Sequence, residues 1–517
     1  MLVSSLALTS LKILGREIEG SEALMSSSGI QMLMTHAGLF QNKFNASSIS
    51  IEAMKCLVNC LHVNEACRDL FVEMKGIDVT LRFLENDDLS RDALFLGTRF
   101  LFLLSGHSAR YAADMAKIQG LGEFLVKLVT PFTNHLIAQQ PISPGMGNEM
   151  SISDEILKVV FNITMIREEG AGGFAGMLGS AKQTDEDKLK KRQEEYDKKV
   201  KGIAGFENVL PILVDLITCI PVNEKDPLSP PQSFAINCLL NYPADPHFFL
   251  QWLPGPNKDK IPSVLCQILS LSLSLAMPFN PDPAIGLEVR SEPPRAGEPD
   301  YSKRKADEVI PPVILVLKEL ANCHENIRKE LRAQLTPEDI DRTKKLDATD
   351  TTVARLIKSM SSISLENVKN SVGELLFALF NENASDLTAY IGYGNAAGFL
   401  FQRGIMSDPN GGGSRVSEVA NESVESYEIY DGPKPQGADS KSKDKAKVKP
   451  HINPITGEIM SDEKKANEEW DRLSDAEKEY ETHKLMEMLD KLNKSGFIKA
   501  VHKDQMSGES TGGGNGH

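Results

Sequence analysis

No stretch of this sequence reaches the ~18 consecutive apolar residues that mark a membrane span. The longest candidate, Val264 to Met277, is short and serine-rich, and a buried repeat helix accounts for it better. Net positive charge is also missing. At a formal charge of −15 the chain lacks the basic surface that general nucleic-acid binding needs. Seven cysteines, an odd number, sit mostly inside apolar stretches and include no C-x-x-C pair. That usage points to buried thiols in a reducing compartment and away from a disulfide frame. Cys56, Cys60, His62 and Cys67 lie close in sequence, but Cys56 and Cys60 fill the apolar rows of a helix, so core packing is expected there and no metal. A P-loop lysine motif, H-E-x-x-H and G-x-S-x-G are all absent. Gly392-x-Gly394-x-x-Ala397 matches the dinucleotide fingerprint only in form. A helix and a turn precede it where a strand is required. Cys323-His324 is no dyad, because catalytic Cys and His meet in space and not in sequence. Neither a covalent catalyst nor a cofactor is expected. The first residues lack the basic start and cleavage site of a signal peptide.

What is present is a repeated helix pattern. In Ser153-Asp-Glu-Ile-Leu-Lys-Val-Val-Phe-Asn-Ile-Thr164, Ser153 reads as an N-cap with acids behind it. Ile156, Val159, Val160 and Ile163 form one helix face. Leu157, Phe161 and Thr164 form a second row, leaving one polar stripe of Glu155, Lys158 and Asn162. A helix covered on two sides with one polar strip is the inner helix of a solenoid. The same E-x-x-K-x-x-x-N spacing recurs at Glu52, Lys55 and Asn59, and its second half at Lys318 and Asn322. Asn237 and Asn241 stand four apart, Glu366 and Lys369 open a further helix, and Arg99-Phe-Leu-Phe-Leu-Leu104 is apolar enough for another. Allowing for inserts, the period is about the 40–47 residues of armadillo and HEAT repeats. The expected fold is therefore all-α: a right-handed armadillo/HEAT superhelical solenoid, then a flexible linker and an isolated amphipathic helix.

Taken in order, Met1 to Gly15 reads as a helix, as though the chain opens inside a repeat. The repeat domain is expected over 1–406. Gly170 to Lys201 is a glycine-rich then charged insert, and Pro278 to Pro312 a proline-rich one unlikely to pack. Thr336-Pro-Glu-Asp339 has the N-cap, proline and acids of a helix start. The last repeat helix spans Val368 to Phe380. A linker over 407–473 carries Asp408-Pro-Asn-Gly-Gly-Gly413, an acidic run and a short basic one. Ser474-Asp-Ala-Glu477 is a capping box opening a helix over 474–496, with Leu485, Met488, Leu489 and Leu492 on one face and Gly496 at its stop. A disordered tail, 497–517, closes the chain.

Several strings resemble the synembryn family closely. They are Lys55-Cys-Leu-Val-Asn59, Arg99-Phe-Leu-Phe-Leu-Leu104, Glu155 to Thr164, Gly392-Tyr-Gly-Asn-Ala-Ala-Gly398 with Phe399 to Met406, Ile452-Asn-Pro-Ile-Thr-Gly457 and Lys484 to Asn493. The resemblance implies a cytoplasmic guanine-nucleotide exchange factor and folding chaperone for heterotrimeric G-protein α subunits, with recruitment to the cell cortex and a monomeric state. It also implies an inner wall that holds the α subunit's C-terminal helix. On the polar stripes, asparagines offer donor and acceptor to a captured chain, and Lys or Arg can meet its carboxylates. The expected partner-binding residues are Asn59, Arg99, Asn162, Asn237, Arg355, Lys358 and Lys369, with Leu485, Met488, Leu489 and Leu492 of the C-terminal helix folding over the partner. The alternative for each asparagine is a buried helix-to-loop bond. The alternative for the whole chain is a passive armadillo adaptor that binds extended peptides without affecting nucleotide exchange.

Overall fold

The computed structural model describes residues 2–41, 47–165, 185–243, 257–280, 287–290, 300–405, 453, 457, 458 and 478. Among these the regular elements are helices, apart from one isolated antiparallel bridge, Phe279 to Leu287. Leu485, Met488, Leu489 and Leu492, most of the expected linker, the tail and residues 166–184 of the first insert lie outside the described residues.

The chain divides into two compact units. The larger holds residues 1–179, 183–340 and 347–383. Its helices are α1 (Leu2–Leu14), α2 (Ser27–His36), α3 (Ser48–Val63), α4 (Glu65–Glu73), α5 (Gly76–Leu84), α6 (Arg91–His107), α7 (Ala109–Ala116), α8 (Leu121–Ile137) and α9 (Glu149–Thr164). They continue as α10 (Asp185–Gly202), α11 (Leu210–Thr218), α12 (Gln232–Leu239), α13 (Ile261–Ala276), α14 (Lys303–Val309), α15 (Pro311–Cys323), α16 (Glu325–Leu335), α17 (Thr352–Met360) and α18 (Glu366–Leu379). In the smaller unit, residues 180–182, 341–346 and 384–517, lie α19 (Ala384–Ile391) and α20 (Tyr393–Gln402).

In the larger unit α1, α3, α6, α9, α12, α15 and α18 form a row, each packed on the next. A second layer backs the row: α2 on α3, α5 on α6, α8 on α9, α11 on α12, α16 on α15 and α17 on α18. Contacts that run mainly from one repeat to its neighbour make a helical solenoid. In α9 the rows read from the sequence are buried at Ile156, Leu157, Val159, Val160, Ile163 and Thr164, with Phe161 half-buried. Leu57, Phe100, Ile156, Ile236, Leu317 and Leu375 are all but fully buried, and each such side chain contributes about 1.5–3 kcal/mol. The serine-rich Val264–Met277 stretch lies in α13, with Leu265, Ile268, Leu269 and Leu273 in the core. The charged run after Asp185 is helical, as α10.

Three expectations about local structure are corrected. Helix α9 begins at Glu149, not after Ser153. Asn148 leaves the Gly145–Gly147 loop in extended conformation and its side chain accepts from Ser151 N, while Ser153 Oγ bonds back to Glu149 O. Thr336 ends α16 rather than starting a helix. Its hydroxyl and its N–H both bond to Arg332 O, and Pro337 prevents continuation. The next helix waits for Thr351, which caps Ala354 N. The described ends of the second insert do pack. Leu287 and Tyr301 are buried, Arg290 N bonds to Ala276 O, and the Tyr301 hydroxyl accepts from Leu228 N. Beyond Phe380 the chain continues as α19 and α20.

Candidate partner-binding face

The polar stripes lie along the row of inner helices, and neighbouring helices are tied through them. Glu52 on α3 pairs with Lys12 of α1 at 2.5 Å and with Lys55 one turn along its own helix at 2.9 Å. Glu155 on α9 repeats the arrangement: Arg99 of α6 reaches it at 2.6 Å, and Lys158 on its own helix bonds the same oxygen. Glu374 on α18 stands 4.0 Å from Lys318 of α15. Each glutamate therefore meets a cation carried by the preceding inner helix. Burial raises the Glu52 pKa, but the hydrogen bonds and charges of Lys12 and Lys55 outweigh it and the net shift is downward. The Glu155 side chain is only 3% exposed. Arg99 and Lys158 both bond Oε1 and offset part of the cost of burying the carboxylate, while Oε2 is buried without a hydrogen-bond partner.

The asparagines follow a parallel rule. Asn59 Nδ2 donates to Lys12 O at 2.9 Å, joining α3 to the end of α1. Asn162 Nδ2 donates to Ser105 Oγ at 3.2 Å, joining α9 to α6. Asn241, just past α12, donates to Phe161 O at 3.0 Å and Thr164 Oγ1 at 2.9 Å on α9. Two cysteine thiols do the same from the core side: Cys56 Sγ to Leu8 O at 3.2 Å and Cys238 Sγ to Leu157 O at 3.3 Å. Burial pushes the Cys56 and Cys60 thiols up to about 12.

Among the expected binding residues, Asn59, Arg99, Asn162, Asn237 and Lys369 lie on inner helices α3, α6, α9, α12 and α18. Asn162 is buried, and the others are half-buried. Arg355 and Lys358 lie instead on α17 of the backing layer. Arg355 is buried there. Its Nε donates to Met277 O at 3.0 Å and its Nη2 pairs with Asp350, so it ties the end of α13 to the start of α17. Lys358 is half-buried.

Sequence reasoning missed the aromatic floor beneath the cations. Lys158 Nζ stands 4.8 Å from the Phe102 ring centroid and 5.4 Å from that of Phe234, and the Arg99 guanidinium carbon 5.3 Å from Phe102. Such contacts are worth about 0.5–2 kcal/mol each. Phe102 sits three residues after Arg99, on the same helix face, which is the one signal that separates it from the core residues around it.

Charge varies along the row. At the first two rungs one glutamate meets two cations, an excess of one positive charge each. At the third, Lys318 faces two carboxylates, Glu319 at 3.7 Å and Glu374 at 4.0 Å. Asp154, one residue before Glu155, has a buried Oδ1 without a hydrogen-bond partner. Burial pushes its carboxyl up to about 7, Lys158 opposing and Glu155 reinforcing the shift.

A model of the family described as guanine nucleotide exchange factor synembryn matches residues 7–509. The chaperone Ric-8A of Xenopus tropicalis is 25% identical over 516 residues, covering 96% of this chain and 82% of the relative. That of Danio rerio is 25% identical over 514 residues, covering 96% and 81%. The Rattus norvegicus protein is 30% identical over a shorter 201 residues, 39% of this chain and 34% of its own. An engineered protein of solved structure covers 78% of this chain at 12% identity and a TM-score of 0.31, a likeness that carries no argument.

Proposed function

Because the chain belongs to the guanine nucleotide exchange factor synembryn family, we propose that it is an exchange factor and folding chaperone for heterotrimeric G-protein α subunits. It acts by differential binding and uses no covalent catalyst. The nucleotide-free α subunit binds more tightly than the GDP-bound one, so mass action expels GDP. Partner capture takes place along the row of inner helices and through the 474–496 helix, in the cytoplasm or at its cortex.

The observation that carries this reading is the ordered polar row from α3 to α18, within a chain matched by the family model over nearly all its length. The row accounts for the type of ligand. Two cations per glutamate at the first two rungs, those of the second rung over Phe102 and Phe234, suit a chain that brings carboxylates and an apolar side. Among the described residues no helix is long and apolar enough to cross a membrane.

The passive-adaptor alternative requires an asparagine ladder with donors available to an extended peptide. Asn59 and Asn162 each spend one N–H, on Lys12 O and Ser105 Oγ, and keep a second, so the asparagines serve either reading and it is the family match that favours the exchange factor. Release of labelled GDP from a panel of α subunits tests it. Acceleration of release by catalytic amounts of the chain is the expected result; binding with unchanged release is the adaptor's signature.

A further inference from the structure

Among the asparagines that tie inner helices together, Asn241 spends both side-chain N–H groups, on Phe161 O and Thr164 Oγ1. Asn162 spends one, and its partner fixes which way the amide points. Ser105 donates its only hydroxyl proton to Phe102 O at 3.1 Å. Toward Asn162 the hydroxyl oxygen is therefore an acceptor, and Nδ2 must be the atom that faces it. The second N–H of Asn162 meets no acceptor among the described residues. Asn162 is only 6% exposed, but Gly106, beside it on α6, is exposed. A Cβ on Gly106 would stand 3.2 Å from Asn162 Nδ2, 3.8 Å from Phe102 Cε2 and 4.0 Å from Asn162 Cγ. That is the distance from the nitrogen, and the outer side of the amide, at which a hydrogen-bond acceptor sits. The missing side chain thus leaves a notch of acceptor size, with a donor at its base and the edge of the Phe102 ring as one wall. The same ring underlies the Arg99 and Lys158 cations. Local geometry does not ask for glycine here: Gly106 lies inside α6 without a positive φ, where helix propensity favours alanine.

We propose that Gly106 is a specificity-determining residue of the partner-binding face: it keeps open a notch in which the second N–H of Asn162 takes an acceptor oxygen, carbonyl or carboxylate, of the captured segment. The inference rests on the exchange-factor reading for the identity of that segment, and deepens it at the second rung. With glycine the donor is open to a chain laid across α6 and α9. With any larger side chain the Cβ fills the acceptor's place, and the N–H is left buried and unpaired in the complex. A segment that offers no oxygen at this step leaves the same donor unpaired, so the notch discriminates between segments as well as binding one.

The dissociation constant of the full chain for a nucleotide-free α subunit, measured by calorimetry, tests the notch. Gly106→Ala should keep the thermal midpoint within about 3 °C of native and yet weaken binding about tenfold, the loss expected for one buried donor left unpaired. Asn162→Ala removes the donor and should weaken binding to a similar degree. Adding Gly106→Ala to it should then cost less than about twofold more, because the bond it blocks is already gone. Native affinity in Gly106→Ala overturns the notch. Losses that multiply in the double variant overturn it too, since they would make Gly106 a steric neighbour of the partner and nothing more. Repeating the affinities from about 50 to 300 mM salt identifies the oxygen: the Gly106→Ala loss shrinks with salt for a carboxylate and holds for a carbonyl. Labelled-GDP release separates the notch from the reading it rests on. A native chain that binds α subunits without accelerating release refutes the exchange-factor reading, while the affinities still decide the notch. A native chain that binds no α subunit refutes both.

Discussion

Arg99 on α6 and Glu155 on α9, 56 positions apart in the chain, meet at 2.6 Å, and Lys158 bonds the same carboxylate oxygen. The contact joins two consecutive inner helices through a buried carboxylate. The Arg99 and Lys158 side chains left behind are 30% and 21% exposed and regain water, so Glu155→Ala should lower unfolding stability by about 1–2 kcal/mol, the loss of the charged hydrogen bonds. Urea unfolding checks this. An unchanged midpoint would show that the α6–α9 junction does not depend on the pair.

Asn162 gives a milder test of the same junction. Asn162→Ala removes its bond to Ser105 Oγ and should cost about 1 kcal/mol. Adding Ser105→Ala should then cost little more, because the bond is already gone. Full additivity of the two substitutions contradicts a shared bond.

Acid stability centres on Glu149 at the start of α9. Burial raises its pKa, but the Ser143 N–H and hydroxyl, its own helix amide and the Arg91 charge outweigh that and hold it at about 2. The unfolded value is about 4.5. A depressed carboxyl contributes stability that is complete above the unfolded pKa and is lost as pH falls toward the folded one. Between about pH 4.5 and 2 the native chain should therefore lose more stability than Glu149→Gln, measured by unfolding midpoints across that window. Parallel acid limbs for the two proteins contradict the assignment.

Asp154 carries the opposite sign. Its folded pKa of about 7 lies above the unfolded 3.8, so the folded chain binds the extra proton between those values and stability falls as pH rises through them. Asp154→Asn removes the buried charge and should raise the thermal midpoint at pH 8 more than at pH 5. An equal effect at both pH values rules out a titrating Asp154.

The row of inner helices was legible in the sequence because its signal is local. Glu52-Lys55-Asn59 and Glu155-Lys158-Asn162 mark a helix face by spacing alone, and both lie on inner helices. The bonds between helices were not legible. Lys12 meets Glu52 across 40 positions and Arg99 meets Glu155 across 56, and nothing in either neighbourhood selects the partner. The asparagines illustrate the same limit: their spacing was visible, but Lys12 O and Ser105 Oγ as acceptors were not. Thr336 misled because Thr-Pro-Glu-Asp satisfies helix-start chemistry, while the preceding α16 claims the threonine for its own last turn. Arg355 shares its cationic character with the inner stripes, yet it lies on α17 of the backing layer, where it bonds the carbonyl of Met277, 78 positions away.

The most direct test of the exchange-factor account is the rate of labelled-GDP release from a heterotrimeric α subunit, with and without the full chain. The account predicts faster release and a stable nucleotide-free complex that added GTP dissolves. A complex that forms while GDP leaves at its intrinsic rate contradicts it.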